Sequence, residues 1–400
     1  MIQLEYLKEV MEQQLKAVSA KEKGLERDEL SMLPDIKSHA LIVSGIRRCG
    51  KSTLLFQLLG DRHAGAMYLN FDDPRLYNFD LGDFDRLDRM IRESGKEVLM
   101  FDEIQIIPGW ERYVRQKLDE NFQVIVTGSN ASLLSKELGT SLTGRHITME
   151  LFPFSFNEFC RFRGLAKSAG MLANYLKEGG FPEYLKTGLD DVLTFLLDDI
   201  LVRDIAVRYG IKDVRSLQRL TLFLINNIGN RVTGNKLKDV FGIASTTTIL
   251  EYFSHLEQSY LLSFVPMFDY SIKKQNINPK KVYAIDTGLV EVNTPGFKKD
   301  DGHKLENLIY IALRRRSREV FYYNGKGECD FVILNRGVIT EAVQVCYTLT
   351  NDNMDRELAG LFEAMRAFNL TEGTIVTLNQ SDLFEKEGLV AHVVPAHEFV

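Results

Sequence analysis

Gly45-Ile46-Arg47-Arg48-Cys49-Gly50-Lys51-Ser52 is the stretch whose reading decides the fold. Its spacing is G-x-x-x-x-G-K-[ST], in which glycines let the backbone curl so that its N–H groups face a phosphate. An apolar run, Ala40-Leu-Ile-Val-Ser44, precedes it, and helical character begins at about Lys51. Strand, glycine loop and helix N-terminus are the parts a phosphate cradle requires. Gly45, Ile46, Arg47, Arg48, Cys49, Gly50, Lys51, Ser52 and Thr53 are therefore the candidate nucleotide-binding residues. Lys51 suits the β- and γ-phosphates, and Ser52 suits a Mg²⁺ ion.

Working outward, further short apolar runs read as strands: Ala66–Asn70, Val98–Asp102, Val124–Thr127 and His146–Glu150. Several are continuously apolar, as strands covered on both faces are. With helical segments between them they predict a βαβ series and a mostly parallel α/β sheet. Val98-Leu-Met-Phe-Asp102-Glu103 ends in two acids, at the carboxyl end of a strand where such sheets bind ligands. Asp102 suits a Mg²⁺-linked carboxylate and Glu103 the polarisation of an attacking water. A third strand ends in Thr127-Gly-Ser-Asn130, where Ser129 and Asn130 are candidates for holding the γ-phosphate or the water, or for capping a helix. Arg145, in Leu142-Thr-Gly-Arg145, is a candidate arginine finger toward a neighbouring subunit's nucleotide, or else a surface ion pair.

The motifs, taken in order, resemble those of prokaryotic AAA-type ATPases whose C-terminal half is a domain of unknown function. Those carrying the resemblance are the phosphate loop, Asn70-Phe-Asp-Asp-Pro-Arg75, Phe101-Asp-Glu-Ile-Gln105 with Trp110, Thr127–Asn130 and Leu142–Arg145. Phe152-Pro-Phe-Ser-Phe-Asn-Glu-Phe159, Gly179-Gly-Phe-Pro182, Leu305-Glu-Asn307 and Glu328-Cys-Asp-Phe331 continue the series. The resemblance implies an AAA-like P-loop core, a winged-helix segment and a C-terminal domain of restriction-nuclease-like fold. The expected division is an N-terminal helix over 1–35, the ATPase core over 36–152 and a helical lid or linker over 153–211. A winged-helix segment over 212–286 and the nuclease-like domain over 287–400 follow.

In the middle segment, Asn235–Phe241, the turn Gly242–Ser245 and the helix Ser245–Tyr260 have helix-turn-helix proportions. Leu261–Phe268 and Lys281–Ile285 are the expected wing strands. Ser245-Thr-Thr-Thr248 opens the helix that would enter a major groove, and Lys236, Lys238, Lys273, Lys274, Lys280 and Lys281 would contact phosphates. No arginine or glutamine stands there for bidentate base reading, so the expectation is weakly specific DNA contact, or else a lid or oligomerisation module. In the last domain the resemblance would place an acid and a lysine where Gln344-Val-Cys346 stands. Neither residue replaces its counterpart, and Glu341 alternates to the opposite face. Glu306 and Asp330 then keep only structural roles, and the domain is expected to be inactive. Arg314-Arg-Arg316 and Arg318 remain as a cationic cluster for nucleic acid, or as a solvated helix end whose cations complement the dipole.

Charge agrees with such a middle segment. The chain carries −6 overall, but residues 203–320 hold 19 Lys/Arg against 12 Asp/Glu, a net of +7. A basic stretch in an acidic protein suits a polyanion, or is simply a solvated face. The four cysteines, at 49, 160, 329 and 346, form no CxxC pair, so neither a zinc site nor a disulfide framework is suggested. No stretch is apolar enough for a membrane span and no targeting segment opens the chain, so a cytoplasmic protein is expected. The reading that follows is a homo-oligomeric enzyme, with a hexamer as one option: an ATP- and Mg²⁺-dependent ATPase remodelling DNA or a DNA-bound partner. The alternatives are an ATP-dependent switch with slow turnover and no nucleic acid, and an ATP-regulated nuclease.

Overall fold

A computed structural model describes residues 2–34, 37–130, 142, 144–294 and 300–400. The chain forms two compact units, Met1–Phe152 and Pro153–Val400.

In the first unit, helix α1 (Leu4–Ser19) precedes five strands: β1 (Ala40–Ser44), β2 (Met67–Asn70), β3 (Val98–Asp102), β4 (Gln123–Gly128) and β5 (His146–Glu150). Helices α2 (Lys51–Asp61), α3 (Phe84–Ser94) and α4 (Trp110–Asp119) connect them. The strands are parallel and ordered β2-β3-β4-β1-β5. Every residue of β1 and β4 is buried, which is why their sequences are apolar without alternation. Phe71, Phe79, Phe84, Phe101 and Tyr113 pack into one aromatic cluster beneath β3, with Phe84 and Tyr113 stacked at 4.0 Å. The strand order matters most for function. Because β4 lies between β1 and β3, its carboxyl end stands between the phosphate loop and Asp102.

The second unit opens with helices α5 (Phe156–Arg163), α6 (Ala169–Glu178), α7 (Pro182–Thr187) and α8 (Asp190–Asp199). Ser155 and Glu158 form a reciprocal capping box at the start of α5. Helix α8 runs on into a π-helix, Ile200–Val207. Next come α9 (Val214–Ile225), β6 (Arg231–Val232), α10 (Gly234–Phe241), α11 (Thr246–Gln258), β7 (Leu262–Pro266), α12 (Ile272–Ile277) and β8 (Lys280–Ala284). Strands β6-β8-β7 form an antiparallel sheet. Gly242 ends α10 with φ 62°, and Ser245 caps α11 through the Thr248 N–H.

Helices α13 (Thr287–Asn293) and α14 (Asp301–Arg316) lead to β9 (Val320–Asn324), β10 (Glu328–Asn335) and β11 (Val338–Val345). Then follow α15 (Met354–Ala367), β12 (Glu372–Thr377), β13 (Asp382–Lys386), β14 (Leu389–Pro395) and α16 (Ala396–Phe399). The six strands are ordered β13-β14-β12-β11-β10-β9, with β11-β12-β14 parallel and the remaining pairs antiparallel.

Two basic features expected to face nucleic acid are otherwise engaged. Lys281 is buried, and its ammonium lies 2.7 Å from Asp330, 2.8 Å from Glu328 and 3.0 Å from Glu306. A lysine neutralised in this way has no charge to offer a phosphate. In the Arg314–Arg316 cluster, Arg315 donates to the Pro153 carbonyl, and Arg316 makes a two-pronged pair with Glu341 at 2.7 Å for each bond. Gln344 points inward, accepting from the Asp330 N–H and donating to Glu357 at 2.6 Å. Glu341 lies on the other face, as alternation requires.

Candidate active site

The loop between β1 and α2 is shaped by what surrounds it. The Leu151 N–H donates to the Ser44 carbonyl at 2.7 Å, which brings the backbone after β5 against the loop's first residue. A Cβ on Gly45 would lie 2.1 Å from the Leu151 carbonyl oxygen, so only glycine fits. Gly50 has φ 105° and is the N-cap of α2, with no side-chain hydrogen bond to the helix start. The first N–H groups of α2 are thus left for an anion.

Lys51 is 4% exposed, and its ammonium donates to the Gly45 and Ile46 carbonyls at 3.1 Å each. It also stands 3.6 Å from Glu103. Cys49 is buried, and burial pushes its thiol up despite the nearby cations, which marks it as a packing residue rather than a nucleophile.

Asp102 is buried at the end of β3, and its carboxylate gathers hydroxyls. Thr127 donates to one oxygen, Tyr68 to the other at 3.0 Å, and Ser52 adds a third side-chain bond. Burial, reinforced by the charge of Glu103, raises its pKa, and these three hydroxyls act the other way. Glu103 has the left-handed φ of 52°, fixed by its N–H donating to the Thr127 hydroxyl at 3.0 Å. Thr127 therefore locks both acids, accepting from one and donating to the other.

Ser52 and Asp102, expected from the sequence, are brought together, as are Lys51 and Glu103. Asn130 is buried just past β4. Arg145 precedes β5, at the amino edge of the sheet and away from the phosphate loop. There it pairs with Asp119. Thr143 of its motif lies outside the described residues.

Sequence reasoning passed over three contributors. Thr127 was visible, but Ser129 and Asn130 drew the attention because the order of β4 and β3 was unknown. Tyr68 sits mid-strand with nothing to mark its hydroxyl. Arg27 lies in the 1–35 stretch, where no motif marks it, yet it is 2% exposed. Its guanidinium donates to the Cys49 carbonyl at 2.9 Å and the Phe152 carbonyl at 2.8 Å. Gln57 of α2 stitches the same segment down, donating to the Lys23 and Leu25 carbonyls at 2.8 and 2.7 Å. Arg27→Met keeps an apolar stem and removes both bonds to the loop's surroundings. A hydrogen bond from a charged group contributes about 1.5–3 kcal/mol, so Mg-ATP binding should weaken by roughly tenfold or more, read by calorimetry. An unchanged Kd would mean the loop keeps its shape without Arg27.

The donor set fits Mg²⁺, a hard cation that takes oxygen ligands and leans on one or two carboxylates plus phosphate oxygens. Among the described residues no group of three or more His, Cys, Asp or Glu is placed to hold a metal alone. Among the described residues, too, no helix is long and apolar enough to cross a membrane.

Residues 37–160 match the family model described as an AAA domain, and residues 170–297 match a domain of unknown function. An uncharacterized protein of Methanocaldococcus jannaschii is 32% identical over 92% of this chain and 88% of its own length. An uncharacterized protein of Haemophilus influenzae is 32% identical over 70% of this chain and 75% of its own. Among solved structures, Cdc6p from Pyrobaculum aerophilum aligns at 12% identity, covering 64% of this chain and 86% of that one, with a TM-score of 0.27. A score that low supports no statement about partners.

Proposed function

The chain belongs to the family of its Methanocaldococcus jannaschii relative and carries an AAA domain, and from that premise we propose that it is a Mg²⁺-dependent ATP hydrolase. One observation carries the reading: a buried lysine and a half-buried glutamate stand 3.6 Å apart at the uncapped start of α2, beside an aspartate held by three hydroxyls. Passive nucleotide binding has no use for a glutamate fixed there in a left-handed backbone conformation.

Gly45 to Thr53 cradle the phosphates, and Lys51 turns from its own loop carbonyls to the β- and γ-oxygens. Mg²⁺ held by Ser52 and Asp102 would neutralise charge developing on those oxygens. Glu103 takes the proton of the attacking water while the water oxygen bonds to the γ-phosphorus. The bond to the β–γ bridging oxygen breaks, and ADP and inorganic phosphate leave. Asn130 is read as a further polar group near the γ-phosphate, and Arg145 as a finger that leaves Asp119 for a neighbouring subunit's nucleotide in a homo-oligomer.

Coupling to DNA is the finer part of the proposal. Helices α9 to α11 with the antiparallel β6-β8-β7 sheet suit a winged helix. Its exposed lysines are Lys236, Lys273 and Lys274, and Thr247 is exposed at the start of α11. We read the C-terminal sheet as nuclease-like in plan and without cleavage, since Gln344 is tied to Glu357 and Lys281 fills the space between the acids.

The test is steady-state ATP turnover over a range of protein concentrations, with and without duplex, forked and single-stranded DNA. The expected result is Mg²⁺-dependent turnover, higher per subunit at higher concentration and stimulated by DNA in a salt-sensitive way. No turnover under any condition refutes the hydrolase. Turnover indifferent to every DNA leaves an ATP-dependent switch.

A further inference from the structure

We propose that Gln105 is the positioning residue of this site, holding Glu103 in register for the attacking water; this rests on the hydrolase reading above. Among the described residues, two side chains meet the Glu103 carboxylate. Lys51 approaches one carboxylate oxygen at 3.6 Å, and the Gln105 side-chain amide donates to the other at 2.5 Å. Lys51 is the group that meets the phosphates, so a bound triphosphate draws its ammonium away from Glu103. When it turns to them, Gln105 is what keeps the carboxylate from swinging with it.

The orientation of the amide is decided by chemistry. A carboxylate only accepts, so Gln105 must present its NH₂ to Glu103, and a flipped amide would set oxygen against oxygen. Its own carbonyl oxygen, Oε1, therefore faces away, and it is buried with no hydrogen-bond partner among the described residues. A buried acceptor left without a donor is costly, so the site is shaped for a donor that arrives with the substrate.

The backbone that carries Gln105 is rigid. It lies in a single 3₁₀ turn, Ile104–Ile106, anchored by the buried side chains of Ile104, Ile107 and Trp110. A side chain on so fixed a turn, two residues from the group it holds, sets position without large motions of its own.

The experiment compares wild type with Gln105→Met, which keeps the side chain's length without charge but cannot donate, and with Gln105→Ala. Steady-state turnover gives kcat, and calorimetry of Mg-ATP gives Kd. The expected result is a fall in kcat of about 100-fold, the scale of a 1 Å misplacement, with Kd within about twofold of wild type. Wild-type affinity also shows that the variants are folded around the site. Unchanged kcat in both variants overturns the inference, as does a weakened Kd with kcat intact, which would make Gln105 a support of the loop. Absence of turnover in the wild type removes the hydrolase reading and this inference with it. Wild-type turnover with unaffected variants removes the inference alone.

Discussion

Glu103→Gln should bind Mg-ATP about as tightly as wild type and turn it over some 10²–10⁴-fold more slowly, the usual contribution of a positioned general base. The substitution keeps the side chain's length and its place after β3. It also leaves intact the backbone bond from residue 103 to Thr127 and the hydroxyls on Asp102, so the binding half of the site survives. What disappears is the proton acceptor, because an amide carbonyl is a far weaker base than a carboxylate. The 3.6 Å ion pair with Lys51 is lost too, which frees the ammonium for phosphate and pushes affinity, if anything, upward. Calorimetry gives the Kd, and a single-turnover phosphate-release assay gives the chemical step. A variant hydrolysing at the wild-type rate would show that another group takes the water's proton. One that lost binding as well would show that Glu103 shapes the loop.

How much of this site could be read in advance follows from how local each part is. Gly45, Gly50, Lys51 and Ser52 lie within one turn between a strand and a helix, so spacing alone carries their roles. Asp102 and Glu103 were legible because a run of apolar residues ending in acids says where a buried strand emerges. Thr127 needed the strand order. Only with β4 between β1 and β3 does its hydroxyl reach both acids. Arg27 depended on a contact 22 residues along the chain and another 125 away, which no periodicity encodes. Lys281 was misread for a related reason. A lysine on a short strand alternates between faces, and sequence does not reveal that the face it takes is covered by Glu306 from α14 and Asp330 from β10. Neighbouring Lys280, one residue earlier, remains half-buried.

Lys281→Met should destabilise the second unit strongly. Methionine matches the lysine's length, so the loss is the ammonium and not the packing. Two buried carboxylates, on Glu306 and Asp330, would then lose their cation, while Glu328, nearer the surface, keeps Arg231 at 3.4 Å. Breaking a buried ion pair from one side costs about 3–5 kcal/mol, because the partner charge stays behind. For a body of this size that is a fall in Tm on the order of 10 °C.

The effect should depend on pH in a definite sense. Burial, followed by the charge of Asp330, pushes Glu306 up to about 7, while Lys281 and the Tyr283 hydroxyl pull it down. Burial alone would lower the Lys281 pKa, but Asp330, Glu306 and Glu328 together more than reverse this and hold it charged. An acid with a raised folded pKa binds its proton more readily folded than unfolded. Its contribution to stability is therefore present below the unfolded value of 4.5 and is lost as pH rises through about 7. Without Lys281 the folded pKa climbs further, so the loss extends to higher pH. The gap between variant and wild type should widen from pH 5 to pH 8, as followed by thermal melts. Adding Glu306→Gln to Lys281→Met, which removes one of the stranded charges, should recover part of the lost Tm at pH 8. A Lys281→Met protein that melts with the wild type across this range would mean that the cluster contributes nothing to stability.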